Sequence, residues 1–480
     1  MYIDLKGEVF SVLSEVIENE GCEGYVIGGY VRDLLMERDT QNRDIDIVVV
    51  GDGISIAKKV ASRLGIKRGV VIYRRYGTAM IKHAGTEIEF VGARKESYTP
   101  DSRNPSVSKG TLEDDQNRRD FTINALAISL NRKEKGSLLD PFNGVDHIRE
   151  KVIKTPLDPV TTFSDDPLRM MRAVRFAAQL DFKIDKGCAD AIKANSHRLS
   201  IVSAERITAE FNKIVMCDTP SHGIELLEQL GLLERFFPEL IALKGSDMVE
   251  GRGHKDNFAH TLEVLDNIAQ KGGDLWLRWA TLLHDIGKPR SKRFQEGIGW
   301  TFHGHDHLGM KMVPVIFRRL KLPLGERMRY VQNLVRLHLR PIVLSQEEVT
   351  DSAVRRLLFD AGNDIDDLMR LCEADITSKN ETKVIKYLKN FGLVREKLKE
   401  IEEKDAIRNF QPPVTGEEIM RIFDIGPGRK VGILKNSIKE AILDGIIGNR
   451  RDEALPYLIE KAGEIGLEPV NQPEPPSSDQ

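Results

Sequence analysis

The stretch "RDIDIVVV" (43–50) limits the fold more than any other part of the chain. A run rich in Ile and Val reads as a core strand, yet it opens with Asp44 and Asp46. Alternate side chains of a strand share a face, so both aspartates point one way while Ile45, Ile47 and Val49 point the other. Two like charges side by side in such a strand repel. A cation between them removes the conflict. Mg2+ suits that place, because it takes carboxylate oxygens and keeps waters and substrate phosphates as its other ligands. The plainer alternative for a lone D-x-D is a solvated strand end.

The residues upstream weigh against the plain reading. "YVI" (25–27) reads as a short strand, and Gly28-Gly29 as a turn that lets the backbone approach a ligand. "YVRDLLM" then reads as a helix whose first N–H groups can receive an anion. Gly28-Gly29, Arg32-Asp33 and Asp44-x-Asp46 together resemble the head of the polymerase β nucleotidyltransferase superfamily, in its class II branch of CCA-adding and poly(A) polymerases. In "TEIEFVGAR", Glu89 points opposite Ile88 and is the candidate third carboxylate of such a head.

Further motifs extend the resemblance. "NRRDFTINALAI" is similar to the class II motif that binds the sugar and triphosphate of the incoming nucleotide, which implies Arg119, Asp120 and Asn124 as contacts. A charged helix start explains one acid there but not the whole string. "LLDPFNGVDHI", with Asp140-Pro141-Phe142 and Gly144, resembles the hinge between head and neck; a plain Pro/Gly turn reads the same way.

"SDDPLRMMRAVRF" is expected to start a helix, with Asp166 as cap and Pro167 in the first position. Asp166, Arg169 and Arg172 recur every three residues, while Leu168, Met171 and Val174 face a core. In the family this is the E-D-x-x-R motif that reads the base, with Asp165 here in place of the Glu. Cytosine and adenine each present an amine donor beside a ring-nitrogen acceptor, so one Asp–Arg pair accepts both and rejects uracil and guanine. "SAERITAEFNKI" follows as a helix with Ser203 as N-cap, in which Glu205, Arg206, Glu210 and Lys213 form intrahelical pairs.

The chain holds a second metal-type constellation. His260, the adjacent His284-Asp285 of "LLHDIGK" and Asp375 stand in the order of the HD metal-dependent phosphohydrolases. Neighbouring His and Asp can bind one divalent ion, here a divalent transition metal. His303, His305, His307 and His338 are what a second metal or a phosphate contact would need. A structural bundle without catalysis is the alternative.

The expected fold is α+β. Residues 1–150 form a small mixed-sheet nucleotidyltransferase head and 151–250 a helical neck and body. Residues 251–385 form a helical HD domain, 386–470 a helical, tRNA-binding tail, and 471–480 a disordered, Pro/Ser-rich end. A length of 480 residues allows three or four domains. In the tail, Gly426, Gly428 and Gly432 lie near Arg429 and Lys430, which suits phosphate contact. The net charge of −3 means that only a local basic surface could hold RNA. Four scattered cysteines without C-x-x-C argue against disulfides or a zinc-thiolate site and fit a cytoplasmic protein. No apolar run approaches ~20 residues, so no membrane is expected. No obligate protein partner is evident.

The resemblance implies template-independent addition of C, C and A to tRNA from CTP and ATP, with Asp44 and Asp46 as the catalytic Mg2+ ligands. Gly28, Gly29, Arg32, Arg119, Asp120, Asn124, Asp166, Arg169 and Arg172 would hold the nucleotide. His260, His284, Asp285 and Asp375 would hold the HD metal, for an added phosphohydrolase activity. Tyr76-Gly77-Thr78, a polar loop at 97–109 and an acidic end favour CCA addition over its sister activity, polyadenylation, although Arg74-Arg75 sits close by. A third reading is an HD phosphohydrolase with a degenerate head.

Overall fold

The computed structural model describes residues 1–39, 44–66, 69–74, 77–99, 102–246, 248–249, 252–253, 256–344, 350–377, 380–405, 407–408 and 410–471. The chain forms two compact units, Met1–Ile241 and Ala242–Gln480. The division falls before the boundary expected at 250. Residues from 243 onward are already tied to the next helix: Leu243 O accepts from Phe258 N, and Gly245 N donates to Asp256 Oδ2.

The first unit opens with α1 (Glu8–Asn19), β1 (Glu23–Ile27), α2 (Gly29–Leu35), β2 (Ile45–Val50) and α3 (Gly53–Arg63). Strands β3 (Val71–Tyr73), β4 (Thr78–His83) and β5 (Thr86–Gly92) follow. Then come a hairpin, β6 (Arg94–Thr99) with β7 (Ser102–Lys109), helix α4 (Leu112–Asn117), and strands β8 (Ala127–Ser129) and β9 (Leu138–Leu139). Seven strands make one mixed sheet in the order β3-β4-β5-β2-β1-β8-β9, in which only β2 and β5 run parallel.

Apolar spacing explains the layers. Phe10, Leu13, Val16 and Ile17 form one face of α1, which packs with α3 against Val26, Ile45, Ile47, Val49, Ile88 and Phe90 of the sheet. Gly24 permits that approach, since a Cβ there would lie 2.3 Å from Ile17 Cδ1. The opposite face carries a smaller cluster of Tyr25, Ile27, Val48 and Ala127. Asp46 pairs in register with Ile27 and so belongs to this less covered face.

Helices α5 (Gly144–Arg149), α6 (Pro159–Asp165), α7 (Leu168–Leu180), α8 (Lys186–Asn195) and α9 (Ala204–Val215) continue the first unit. Helix α7 buries Met170, Met171, Val174 and Ala177, so its core face sets the direction of its arginines.

Several expectations need correction. Asp44 lies just outside β2 and is exposed, because the strand begins at Ile45. The polar loop expected at 97–109 is largely the β6–β7 hairpin, paired from Arg94↔Lys109 to Thr99↔Ser102 with a register shift between Ser97 and Thr99. Its sequence has little apolar alternation, so ladder pairing left no strand signal. Pro167 takes the N-cap of α7 and Asp166 closes α6, so the helix starts one residue later than expected. Tyr76, Arg75 and residues 472–480 lie outside the described residues.

In the second unit, helices Asn257–Gln270, Leu275–Leu283, His305–Arg319, Glu326–Leu337 and Ile365–Ala374 surround the HD residues. Four helices, Glu381–Asp405, Gly416–Phe423, Arg429–Asp444 and Arg451–Glu464, complete the unit. They share a core that includes Leu357, Phe391, Ile401, Ile419, Leu434 and Leu458. Among the described residues no helix is long and apolar enough to cross a membrane.

Candidate active site and metal centre

The Gly-Gly turn lies against the acidic strand. Gly28 has φ 86°, and a Cβ there would sit 3.0 Å from Asp46 Oδ2 and 3.1 Å from Arg119 Nη1. Only glycine fits that backbone in that space. In the parallel ladder Asp46 stands beside Glu89, so the third carboxylate is on the neighbouring strand, one register position across. Burial pushes the Asp46 carboxyl above its usual range, and Asp44 adds to this against the pull of Arg119. Burial also raises Glu89, with Asp46 as the next cause. These acids destabilise one another's charged forms, which a divalent cation would reverse. The donor set therefore fits such an ion.

A hydrogen-bonded chain leads from this strand to the helical neck. Arg32, only 7% exposed, donates from Nε and Nη2 to Asp33 Oδ1 at 2.9 and 2.7 Å and from Nη1 to Asn124 Oδ1 at 2.8 Å. Arg32 thus braces Asn124, whereas the sequence suggested a direct nucleotide contact. Asn124 Nδ2 donates to Asp120 Oδ1 at 3.1 Å, and Asp120 Oδ2 accepts from Arg172 Nε at 2.6 Å. Burial alone would raise the Asp120 carboxyl. The charge of Arg172, the Asn124 amide and Arg169 outweigh it and hold the carboxyl at about 2.

Arg119 Nε donates to the fully buried Asp115 at 3.2 Å. Arg169 Nη2 donates to Arg118 O at 2.6 Å, and Asp166 Oδ1 accepts from Leu168 N at 3.2 Å. These residues line an open cleft of about 400 Å³ together with Arg206 and Glu210. Its rim holds the guanidinium groups of Arg118, Arg119, Arg169, Arg172 and Arg206 against the carboxylates Asp120, Asp166 and Glu210. That balance suits an anionic ligand, and guanidinium forks suit phosphate.

Sequence reasoning missed Arg118 as a cleft residue and treated Arg206 as part of an ordinary helix. Glu210, expected only in intrahelical pairs, meets Lys213 at 3.3 Å but also Arg175 on α7 at 2.5 Å. Arg206 reaches the cleft because α9 packs against α7, which leaves no local signal in the sequence.

In the second unit four imidazoles converge on one carboxylate. His260 Nε2 lies 2.7 Å from Asp375 Oδ1 and 3.7 Å from Asp285 Oδ2. His284 Nε2 lies 3.2 Å from the same Asp285 oxygen. On the other side of that carboxylate, Asp285 Oδ1 faces His305 Nε2 at 3.2 Å and His338 Nε2 at 3.8 Å. Asp285 is thus shared by two groups of potential ligands. His303 and His307 belong to neither group.

The opposite ring nitrogens are all engaged. Nδ1 of His284, His305 and His338 meets the carbonyl oxygens of Thr281, Phe302 and Val335 at 2.7, 2.8 and 2.7 Å, and that of His260 meets Thr377 Oγ1 at 2.9 Å. A carbonyl accepts, so Nδ1 carries the proton and Nε2 of a neutral ring keeps its lone pair for a cation. His284 Nε2 is fully buried and makes no hydrogen bond in spite of its neighbours. This donor set fits one or two divalent ions. Burial opposes the charge of His284, but Asp285 and Asp375 prevail and push it up to about 10. Burial and the charge of His284 hold His338 down at about 4. Lys288, three residues on, reaches Asp285 Oδ2 at 2.5 Å and was not anticipated.

Comparison with known proteins bears on both sites. Residues 24–154 match the model described as "Poly A polymerase head domain", 181–243 match "Probable RNA and SrmB- binding site of polymerase A", and 257–379 match "HD domain". An A-adding tRNA nucleotidyltransferase of Deinococcus radiodurans is 32% identical over 71% of this chain and 77% of its own length. The chain belongs to the tRNA nucleotidyltransferase/poly(A) polymerase family. A second relative, the multifunctional CCA protein of Nitrosococcus oceani, is 30% identical over 75% of this chain and 85% of its own length. The crystal structure of the Bacillus stearothermophilus CCA-adding enzyme in complex with CTP shares the fold, with a TM-score of 0.67 at 23% identity, covering 96% of this chain and 99% of that one. In this chain the 119–120 and 166–172 segments meet in one cleft, and the HD residues close on a separate centre.

Proposed function

We propose that this nucleotidyltransferase adds C, C and A to the 3′ ends of tRNA from CTP and ATP, without a nucleic-acid template and with release of pyrophosphate. The observation that carries the reading is the position of Arg119. Its guanidinium faces Gly28 beside Asp46, and it also lines the cleft that holds Asp166 and Arg169. A nucleotide base in that cleft would have its triphosphate directed at the acidic strand. The printed names of the relatives, A-adding and CCA, agree with a tRNA 3′ end as acceptor.

Each group then has a role. Asp44 and Asp46, with Glu89 on the neighbouring strand, would hold Mg2+, which would supply charge neutralisation for the phosphates and acidity for the attacking 3′-hydroxyl. Arg119 and Arg172 bind phosphate and ribose, and Asp120 holds Arg172 in place. Arg32 and Asn124 keep Asp120 oriented. Asp166 accepts from the base amine, and Arg169 donates to the ring nitrogen. The head, neck and body, HD and tail roles would fall to segments near 1–150, 151–241, 242–385 and 386–470. The four free, scattered cysteines suit a cytoplasmic site of action.

The test is incubation of tRNA lacking its terminal CCA with each labelled nucleotide, read by product length. Three added residues from CTP and ATP support the reading. A long A tail would make the chain a poly(A) polymerase, and addition of A to tRNA ending in CC only would make it an A-adding enzyme.

A second activity is favoured by a separate observation: Asp285 presents one oxygen to each of two histidine pairs. We read this centre as a phosphohydrolase that uses a divalent transition metal. The ion would supply Lewis acidity and a nucleophilic water. His260, His284 and Asp375 would hold one such ion and His305 and His338 a second, with Asp285 shared between them. Lys288, paired with Asp285, would turn to a phosphate oxygen once a metal ion takes that carboxylate. Hydrolysis of model phosphoesters across a series of divalent metals tests it.

A further inference from the structure

A small cavity of about 240 Å³ lies in the second unit, away from the HD residues, between Phe359, Phe410, Pro412 and one face of the helix Arg429–Asp444. Its floor is aromatic, with the rings of Phe359 and Phe410 5.1 Å apart. Its rim is cationic and amide-bearing: Lys439 Nζ sits 5.7 Å from the Phe359 ring centre, and Lys435, Asn436 and Gln411 complete the edge. Lys439 also pairs with Glu440 at 3.1 Å, whereas Lys435 is exposed and makes no ion pair among the described residues; a Cβ at Gly432 would meet nothing within 4 Å.

We propose that this cavity is a nucleotide slot for an unstacked base of the RNA substrate, gripped at its phosphate by Lys435 and Lys439. The proposal rests on the reading of the chain as a tRNA-modifying enzyme. Three features select that ligand. Aromatic floors with basic rims hold single nucleotides through stacking and charge. The amides of Asn436 and Gln411 offer a donor and an acceptor to a base edge. The volume falls below the ~300–1,000 Å³ usual for free small-molecule sites, so the cavity suits one base presented by a longer strand. The open backbone at Gly432 lets the ribose-phosphate approach closely, which a side chain there would prevent.

Two variants of the full chain test it. Lys435→Glu reverses a charge on an exposed residue, and Gly432→Phe plugs the slot while replacing a poor helix former in a helix. Binding of tRNA lacking its CCA end is measured across salt concentrations, with thermal unfolding as the control for folding. Both variants should bind several-fold more weakly. With Lys435→Glu, the slope of log affinity against log salt should become shallower by about one, the signature of one lost phosphate contact. The rate of CTP addition at saturating tRNA should not change, so failure of the slot and failure of the nucleotidyltransferase reading are distinguishable. Unchanged affinity and slope in both folded variants overturn the proposal. Weakening by Lys435→Glu but not by Gly432→Phe also overturns it, leaving a general electrostatic face without a base slot.

Discussion

The two metal-type centres handle the same problem in opposite ways. In the head, Asp46 and Glu89 sit side by side on parallel strands, and burial raises both. Among the described residues, only the charges of Arg119 and Arg172 pull on Asp46 and that of Arg94 on Glu89, and burial outweighs them. In the HD unit, Asp285 is buried among four imidazoles and Lys288, and the charge and hydrogen bond of His284, the hydrogen bond of His305 and the charge of Lys288 hold its carboxyl well below the usual range against burial. The HD centre is therefore preorganised by the protein alone. The head site, by contrast, has a donor set that a metal ion with its triphosphate would complete. A site of the second kind suits a reaction in which the metal enters with the nucleotide; a site of the first kind suits a resident ion.

The largest expected effect breaks the comparison at the head. Asp46→Ala should lower nucleotide addition at least a hundredfold, because roughly 2.7 kcal/mol or more of charge stabilisation goes with it. The same protein should keep any hydrolytic activity of the HD centre. Labelled CTP incorporation and phosphoester hydrolysis on one preparation check both halves. A fall in both activities would mean that the two centres are not independent.

The reciprocal variant, Asp285→Ala, should remove hydrolysis and bound transition metal while leaving CTP addition within about twofold. Metal content by elemental analysis reads it directly. If the carboxylate is shared between two ions, His338→Ala should halve the metal stoichiometry and Asp285→Ala should abolish it. A full complement of metal in His338→Ala would reduce the centre to one ion.

How much of this was legible differs between the two centres for a physical reason. Adjacent His284-Asp285 is a local signal, and helices carry His260 and Asp375 to it in a fixed chain order, so the HD ligand set was readable before any fold was known. His305 and His338 were readable as candidates for a second metal, but only helix packing separates them from His303 and His307. In the head, Asp44-x-Asp46 was local, but Glu89 became a neighbour through parallel β2–β5 register, which no periodicity prints. Arg32 was expected among the nucleotide-holding residues; its burial against Asp33 and Asn124 depends on the turn Thr122–Asn124, far away in sequence. The β6–β7 hairpin was hidden because its strands carry little apolar alternation, the signal on which strand reading rests.

A smaller effect sharpens the contrast through pH. Asp120 has its carboxyl held at about 2 in the folded protein, below the ordinary value of 3.8. A depressed acid contributes stability that is fully present above the unfolded value and is lost as pH falls through the folded one. The window is therefore about pH 4 down to 2, and the contribution is about 2 kcal/mol. Asp120→Asn should flatten that part of the acid unfolding curve relative to the parent protein. It should also loosen Arg172 and raise KM for CTP. An acid limb of unchanged steepness in the variant would show that the Asp120–Arg172 pair carries no such linkage.

The smallest effect is the most specific. Asp166 and Arg169 share the cleft, and each already makes one backbone hydrogen bond: Asp166 Oδ1 from Leu168 N, Arg169 Nη2 to Arg118 O. These bonds fix the two side chains without exhausting them, because a carboxylate keeps a second oxygen and a guanidinium four further N–H groups. If the pair reads the base, Arg169→Ala leaves the ring nitrogen of C or A unpaired and removes the donor that repels the N–H of U and G. Correct addition should fall and relative use of UTP and GTP should rise several-fold, in line with ~1–3 kcal/mol for a lost buried partner. If Arg169 only ties α7 to the 118–120 turn, stability and all four rates should fall together. The measurement is kcat/KM for each nucleotide on tRNA ending before the first C, beside a thermal unfolding curve. A folded Arg169→Ala protein with an unchanged ratio of CTP to UTP and GTP would leave Arg169 a structural tie, and base choice would then have to come from another part of the cleft.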